Sequence, residues 1–365
     1  MAFHFRYLYI CFICLYFIEA KAQKYSNEFI NIGNYARGIA LGNALTAESN
    51  DINSALYNPA ALSQFKEDLQ IAFSHNSWMG GVANYDFIGA AYPIKRNNSS
   101  LGINIIRFGI DNIPNTINLY DADGVINYNR IQSFSAIDYA FICTYSKQSK
   151  KNFAYGINLK VINRNAGKFA KSWGFGFDLG GIYQVNKTMK IGVNIKDITS
   201  TFNAWTYNLS ESDKEIFALT NNEIPKNAIE LTYPKMNIGL SKQLGNNKFG
   251  AILMSDAEIS IDGERNTIVK MHPISIDLKF GTEFYYKKIL YLRVGANNIQ
   301  RGTNSENKKR ISVQPNVGVG IKLFAFNIDY AISNISNNYE FGLSHVVSLT
   351  MDINFKKFKK TLKNN

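Results

Sequence analysis

His75, His272 and His345 are the histidines beyond the first 22 residues, and they are scattered. None has a cysteine, histidine or carboxylate at the short spacing that brings two side chains onto one ion. They predict loop or strand-end positions and no metal. Asp121-Ala122-Asp123-Gly124 opens like a calcium loop. Gln132 stands where the closing glutamate belongs, and an intervening oxygen ligand is missing. Gly174-x-Gly176 and Gly318-x-Gly320 resemble fragments of a dinucleotide loop, but they lie inside strand-like segments with no helix following, which makes them small inward-facing residues. Ser344-His345 after Gly342 lacks the second glycine of a nucleophile elbow. Cys11 and Cys14 fall in the first 22 residues, so Cys143 stands alone beyond them and predicts neither a disulfide nor a cysteine cluster. These residues predict no catalyst and no cofactor.

Two stretches are better suited to contact than to chemistry. Asp111-Asn112-Ile113-Pro114-Asn115-Thr116 reads as the start of a long loop in which proline stiffens apolar groups, with Ile113, Pro114 and Asn115 as candidate binding residues. The segment 199–234 carries Phe202, Trp205 and Tyr207 and a short helix over Ser212 to Leu219, capped by Ser212 with Glu215 three residues on. Exposed aromatics of this kind mark a binding surface; folded inward, the same residues roof whatever lies beneath.

The elements that must position these residues are organised around Gly33 to Phe65, GNYARGIALGNALTAESNDINSALYNPAALSQF. Gly33, Gly38 and Gly42 permit tight irregular backbone, and Asn58-Pro59 interrupts the short helix that Ser54 to Tyr57 begins. This composition suits a plug in a barrel lumen, where inward-facing side chains satisfy polar backbone; the alternative is a loop and short helix packed on a soluble sheet. In the lumen reading, Asn58, Pro59, Gly38 and Gly42 are the candidate gate.

After the plug, apolar and polar residues alternate with period two. Phe153, Tyr155, Ile157, Leu159 and Val161 alternate with small or polar neighbours, as do Trp173, Phe175, Phe177 and Leu179. Such segments recur at 69–77, 83–94, 100–110, 132–146, 152–163, 172–185, 189–198, 235–243, 248–260, 275–286, 289–298, 311–323, 325–333 and 346–355. Most approach the roughly 9–11 residues that a tilted strand needs to cross a bilayer. Every second connection is tight and polar, as at Lys95-Arg96-Asn97-Asn98, Asn186-Lys187 and Lys287-Lys288. Those between are mostly long: 111–131, 199–234, 261–274, 299–310 and 334–345. Short turns on one side and long loops on the other predict an all-β fold, a 14-stranded antiparallel transmembrane β-barrel with an N-terminal hatch plugging the lumen. The last segment fits a closing strand, with Val347, Leu349, Met351 and Ile353 toward lipid and Phe355 as a terminal aromatic.

Composition agrees. Aromatics make up 13% of the chain, with 25 Phe and 21 Tyr, and favour pleated surfaces. The net charge of +12 comes from lysines at turns, which argues against nucleic acid. Met1 to Arg6 is basic, Tyr7 to Ile18 apolar, and Ala20-Lys21-Ala22 a small-x-small cleavage site, so residues 1–22 predict a cleavable signal peptide and export. The expected organisation is 1–22 signal peptide, 23–67 hatch, 68–355 barrel and 356–365 a basic periplasmic tail.

With these residues in view, the chain resembles the PorV/PorQ family of Bacteroidota outer-membrane proteins, relatives of the long-chain fatty-acid channels. The similarity is carried by ARGIALGNALTAESNDINSALYNPAAL, FSHNSWMGGVANYDFIGAAYPI, RFGIDNIPNT, IDYAFICTYSKQ, NLKVINRNAG, GFGFDLGGIYQV, FNIDYAI and LSHVVSLTMDINF. Ala61 stands where that family usually has glycine after Asn-Pro-Ala. The resemblance implies a fourteen-stranded outer-membrane barrel serving type IX secretion. Such a carrier binds the C-terminal domains of secreted cargo, or associates with the translocon and the attachment complex. The competing expectation is a channel for hydrophobic small molecules gated at Asn58-Pro59, with Gly174, Gly176 and Gly180 leaving lumen space; a third is a barrel that only stabilises a neighbouring complex.

Overall fold

The computed structural model describes residues 26–33, 35–48, 50–65, 67–120, 125–303, 309–334 and 342–355. The expected signal peptide, the Asp121–Gly124 segment and the basic tail lie outside them.

Alternation builds the strands, and it is inside out relative to a soluble sheet. Along Ala170–Asn186, Trp173, Phe175, Phe177 and Leu179 are exposed, while Ser172, Gly174, Gly176 and Asp178 between them are buried. The same reversal places Ile71, Phe73, Ile88, Ile103, Leu240, Leu292, Val319 and Leu349 on the outer surface. An apolar exterior around a polar interior is the arrangement a lipid-embedded barrel requires.

In chain order the strands are β1 (Leu69–Trp78), β2 (Ala83–Ile94), β3 (Ser99–Asn115), β4 (Gln132–Lys150), β5 (Phe153–Ala166) and β6 (Ala170–Asn186). They continue with β7 (Met189–Lys196), β8 (Thr201–Tyr207), β9 (Ala228–Thr232), β10 (Lys235–Gly245), β11 (Phe249–Ser260) and β12 (Val269–Met271). The last are β13 (Ile274–Tyr286), β14 (Leu290–Thr303), β15 (Lys309–Leu323), β16 (Phe326–Ser333) and β17 (Ser344–Ile353). Every ladder is antiparallel, and β1 pairs with both β2 and β17, from Leu69↔Ile353 to Ser77↔His345, so the sheet closes. Three of the seventeen strands are extras: β8 and β9 extend from β6, and β12 lies beside β13. The remaining fourteen form a closed antiparallel barrel, and each overlaps one of the segments expected from alternation, with ends that differ by a few residues. Closure leaves no unpaired edge for lipid to meet.

One end of the barrel carries only tight turns, at 95–98, 151–152, 187–188, 246–248, 287–289 and 324–325. Lys287 and Lys288 both take positive φ there, 53° and 56°, the left-handed geometry that matches strand twist in a tight hairpin. The other end carries the long connections, with 79–82 and 167–169 as short exceptions.

The expected loops are shorter than alternation suggested. Ile113, Pro114 and Asn115 are not in a loop: after a bulge beyond Ile110 they pair with Phe134, Ser133 and Gln132, extending the β3–β4 ladder. The bulge breaks the period-two signal, and proline is tolerated at such a site. Phe202, Trp205 and Tyr207 are likewise in strand β8. Where β7 leaves the sheet, β8 takes over pairing with the upper half of β6, from Phe175↔Phe202 to Ala170↔Tyr207. The helix in this segment is Glu211–Leu219, capped by Ser210 with Asp213 in a reciprocal capping box, two residues earlier than expected.

Residues 26–65 fill the lumen. They contain helix α1 (Ala36–Ala40) and short 3-10 helices at Asn53–Leu56 and Pro59–Gln64. Asn58 does more than end the first turn: its side chain accepts from Ala60 N at 3.0 Å and caps the second, with Pro59 at the first helical position, where no N–H is needed.

Candidate functional site

A polar plug inside a closed sheet must find partners for its backbone on the barrel wall, and the inward side chains of many strands supply them. Gln70 on β1 accepts from Ile52 N at 2.8 Å, and Ser146 on β4 donates to Ala60 O at 3.0 Å. Asn158 on β5 donates to Ala55 O, and Asn194 on β7 to Tyr57 O. Asp256 on β11 accepts from Thr46 N at 2.9 Å, and Ser348 on β17 from Ala36 N at 2.6 Å.

The four gate candidates all sit at the seat. Asn58 donates through Nδ2 to Thr46 O at 2.8 Å and Gly181 O at 3.1 Å, tying plug to plug and plug to wall. Pro59 packs so closely on β5 and β6 that a Cβ at Gly156 or Gly180 would collide with the Asn58-Pro59 pair or its neighbour. Gly42, at φ 61°, lies against the backbone of Ala296, so both its conformation and its space demand glycine. Gly38 is buried against Tyr57 and Tyr35. The expectation that Gly174, Gly176 and Gly180 leave open lumen is corrected here: Asn203 and Phe202 fill the space over Gly174, Thr201 that over Gly176, and Asn58 with Pro59 that over Gly180.

The two sides of the plug meet the wall differently. Toward β13–β16 the contact is ionic: Arg37 Nε donates to Glu283 at 2.8 Å, and Arg293 bridges Glu283 and Asp329, each at 2.6 Å. Burial alone would favour loss of the Arg37 proton, but Glu283 beside it keeps the guanidinium charged and its pKa above the ordinary value. Toward β1–β5 no ion pair joins plug and wall among the described residues: beside the neutral hydrogen bonds of Gln70, Ser146 and Asn158, a continuous buried cluster joins Phe29, Ile52, Leu62 and Phe65 of the plug to Trp78, Tyr85, Ile106, Ile142 and Ile162 of the wall. At the tight-turn end the plug overlooks a cavity of about 400 Å³, lined by Arg37, Glu283, Arg293 and Asp352 among mostly polar groups, and by Phe65.

At the long-loop end, Trp205 and Tyr207 turn inward and Phe202 outward against Phe175, so the three aromatics do not form one surface. Trp205 Nε1 donates to Glu230 at 2.7 Å beneath the Arg164 guanidinium, 5.1 Å from the ring centre. Ile113, Pro114 and Asn115 stand apart on β3. Asp197, just past β7, is buried against Lys160 and Thr201; burial pushes its pKa up, but the Lys160 ammonium outweighs this and holds it below the usual carboxylate range. Sequence reasoning missed Glu283, Arg293 and Asp329, which lie on three strands and meet only on closure.

The histidines do not converge on a site. His75 contacts Asp86 at 2.7 Å across the β1–β2 hairpin, on the outer surface, and His345 contacts Tyr330 at 2.8 Å. Among the described residues no group of three metal-ligating side chains occurs, and no helix is long and apolar enough to cross a membrane.

No protein-family model and no curated protein sequence matches the chain. Solved structures do. The toluene transporter TodX of Pseudomonas putida superposes with a TM-score of 0.57 at 11% identity, over 88% of this chain and 98% of that one. The chain shares the fold of this transporter. The toluene transporter TbuX of Ralstonia pickettii matches with a TM-score of 0.52 at 12% identity, over 88% and 98% of the two chains. A Pseudomonas aeruginosa FadL homologue gives 0.52 at 11%, over 87% and 98%. These neighbours are channels rather than enzymes. The fourteen-stranded barrel fold that the resemblance implied is therefore met.

Proposed function

We propose that the protein is an outer-membrane channel for hydrophobic small molecules, exported by its N-terminal signal peptide, with residues 26–65 as the gate. One observation carries this reading. The apolar cluster runs unbroken from Trp78, at the long-loop end of β1, to Phe65, which also lines the cavity at the tight-turn end. A hydrophobic solute moving along this seam stays on apolar side chains until it reaches the polar chamber beyond the plug, so the plug need only shift away from the β1–β5 wall. The shared fold with toluene transporters supports the same reading. The test is uptake of toluene by liposomes containing the purified barrel. Uptake no faster than into liposomes holding an unrelated barrel contradicts it.

A second reading, the type IX secretion carrier, is favoured by the PorV/PorQ resemblance and by the long-loop end. There β3–β4 and β8–β9 rise past the barrel, and Tyr120, Val125, Tyr128, Leu219 and Ile229 are exposed. Apolar groups in such a position suit a protein partner. Mild-detergent purification from the native membrane separates the readings: translocon, attachment-complex proteins or cargo C-terminal domains co-purify with a carrier, and a lone barrel with bound hydrophobic molecules is a channel.

A further inference from the structure

At the long-loop end of the apolar cluster four aromatic rings pack against one another. Phe108 stands edge-on to Trp78 (centroids 6.5 Å apart, 84°) and tilted against Tyr85 (6.3 Å, 62°), while Phe29 of the plug stacks on its other side at 6.5 Å. Trp78 and Tyr85 lie roughly parallel at 6.5 Å. The group contains two polar handles. Trp78 Nε1 and Tyr85 OH are buried, on residues 5% and 0% exposed, and neither has a hydrogen-bond partner among the described residues. Asn76 Oδ1, one inward position below Trp78 on β1, is in the same state.

A buried N–H or O–H without a partner costs about 1–3 kcal/mol. Two on touching rings, with a third unsatisfied polar atom beside them, are more than packing needs, because phenylalanine in place of Tyr85 would make the same ring contacts without burying a hydroxyl. An indole N–H can only donate, and a phenol donates readily, so the complement of this pair is an acceptor oxygen. Arg37 is engaged with Glu283, Lys160 with Asp178, Arg164 with Asp138 and Glu230, and Lys196 donates to Asn31. A carboxylate among these rings would be desolvated without a countercharge.

We infer that Trp78, Tyr85, Phe108 and Phe29 form a recognition site for neutral hydrophobic molecules bearing one acceptor oxygen, such as a carbonyl, ether or hydroxyl. The inference rests on the channel reading and narrows its substrate class. The rings hold the apolar body, and the two donors select for the oxygen, a preference that neither a bare hydrocarbon nor an anion satisfies.

The experiment is equilibrium dialysis of the full barrel in detergent against acetophenone, ethylbenzene and benzoate, paired with liposome uptake of the first two. Acetophenone binds about tenfold or more tightly than either competitor, the discrimination of roughly 1.4 kcal/mol that one good hydrogen bond supplies. Tyr85→Phe, which keeps the ring and removes only the hydroxyl, and Trp78→Phe each reduce that ratio. Equal binding of acetophenone and ethylbenzene, unchanged in both variants, overturns the inference; the channel reading then stands or falls on uptake alone. Selective acetophenone binding without uptake of either compound upholds the site and removes the channel reading.

Discussion

The plug meets the barrel through carbon and neutral hydrogen bonds on its β1–β5 side and through charge on its β13–β16 side. Apolar packing is non-directional and falls away gradually as surfaces part. A buried charge chain such as Arg37–Glu283–Arg293–Asp329 has one good geometry, and losing a member leaves its neighbour buried and uncompensated. Close backbone approach occurs on both sides, at Gly281 and Gly295 against Leu41 and Gly42 and at Gly156 of β5 against Pro59, so the difference lies in the side chains. The ionic side is the anchor, and the apolar side is where the lumen opens.

Breaking the anchor has the largest expected effect. Glu283→Gln leaves Arg37 and Arg293 facing each other without a carboxylate between them. It lowers the opening free energy of the plug by about 3 kcal/mol, read from native-state hydrogen exchange of the amides of 36–57. Unchanged exchange removes the anchor from the account. Gly42→Ala strains a positive φ and pushes a methyl group at the Ala296 backbone; the same amides exchange sooner by about 1–2 kcal/mol. On the apolar side, Ile52→Val deletes one buried methyl group, costs about 1 kcal/mol, and raises toluene uptake without exposing Ala36–Ala40 to exchange. Equal exposure of α1 in that variant erases the difference between the sides.

The smallest effect concerns acid. The Asp197 pKa is lower in the folded chain than in the unfolded one, so its contribution is complete above the ordinary aspartate pKa and is lost as pH falls through the depressed folded value. This contribution stays level from about pH 8 to 5 and declines only below about pH 4. Comparing urea unfolding of the wild type with Asp197→Asn across that range reads it: the difference between them shrinks below about pH 4, and a difference that is the same at every pH contradicts the assignment.

Much of the barrel is legible in the sequence because lipid enforces a two-sided strand. All fourteen staves were marked by alternation, and the strands missed are those that alternation does not govern. The β3 extension through Ile113–Asn115 follows a bulge that shifts the register, and β8 and β9 stand above the band where one face must be apolar. The plug was legible in its glycines and in Asn58-Pro59, whose roles are local. Its ionic seat was not, because Arg37 finds Glu283 from 246 positions away and no local pattern encodes that pairing. Nor could sequence assign a face to Trp205, whose inward turn depends on Glu230 and Arg164 lying opposite.

The central claim is that the plug gates a hydrophobic route, and the most direct measurement holds the plug still. Ala61 of the plug and Ala154 of β5 pack in one buried cluster. A disulfide between Ala61→Cys and Ala154→Cys, in a Cys143→Ser background, pins the plug to the wall on the side where the lumen opens. Oxidised liposomes then take up toluene no faster than protein-free ones, and reductant restores uptake. Equal uptake in the oxidised and reduced states contradicts the account.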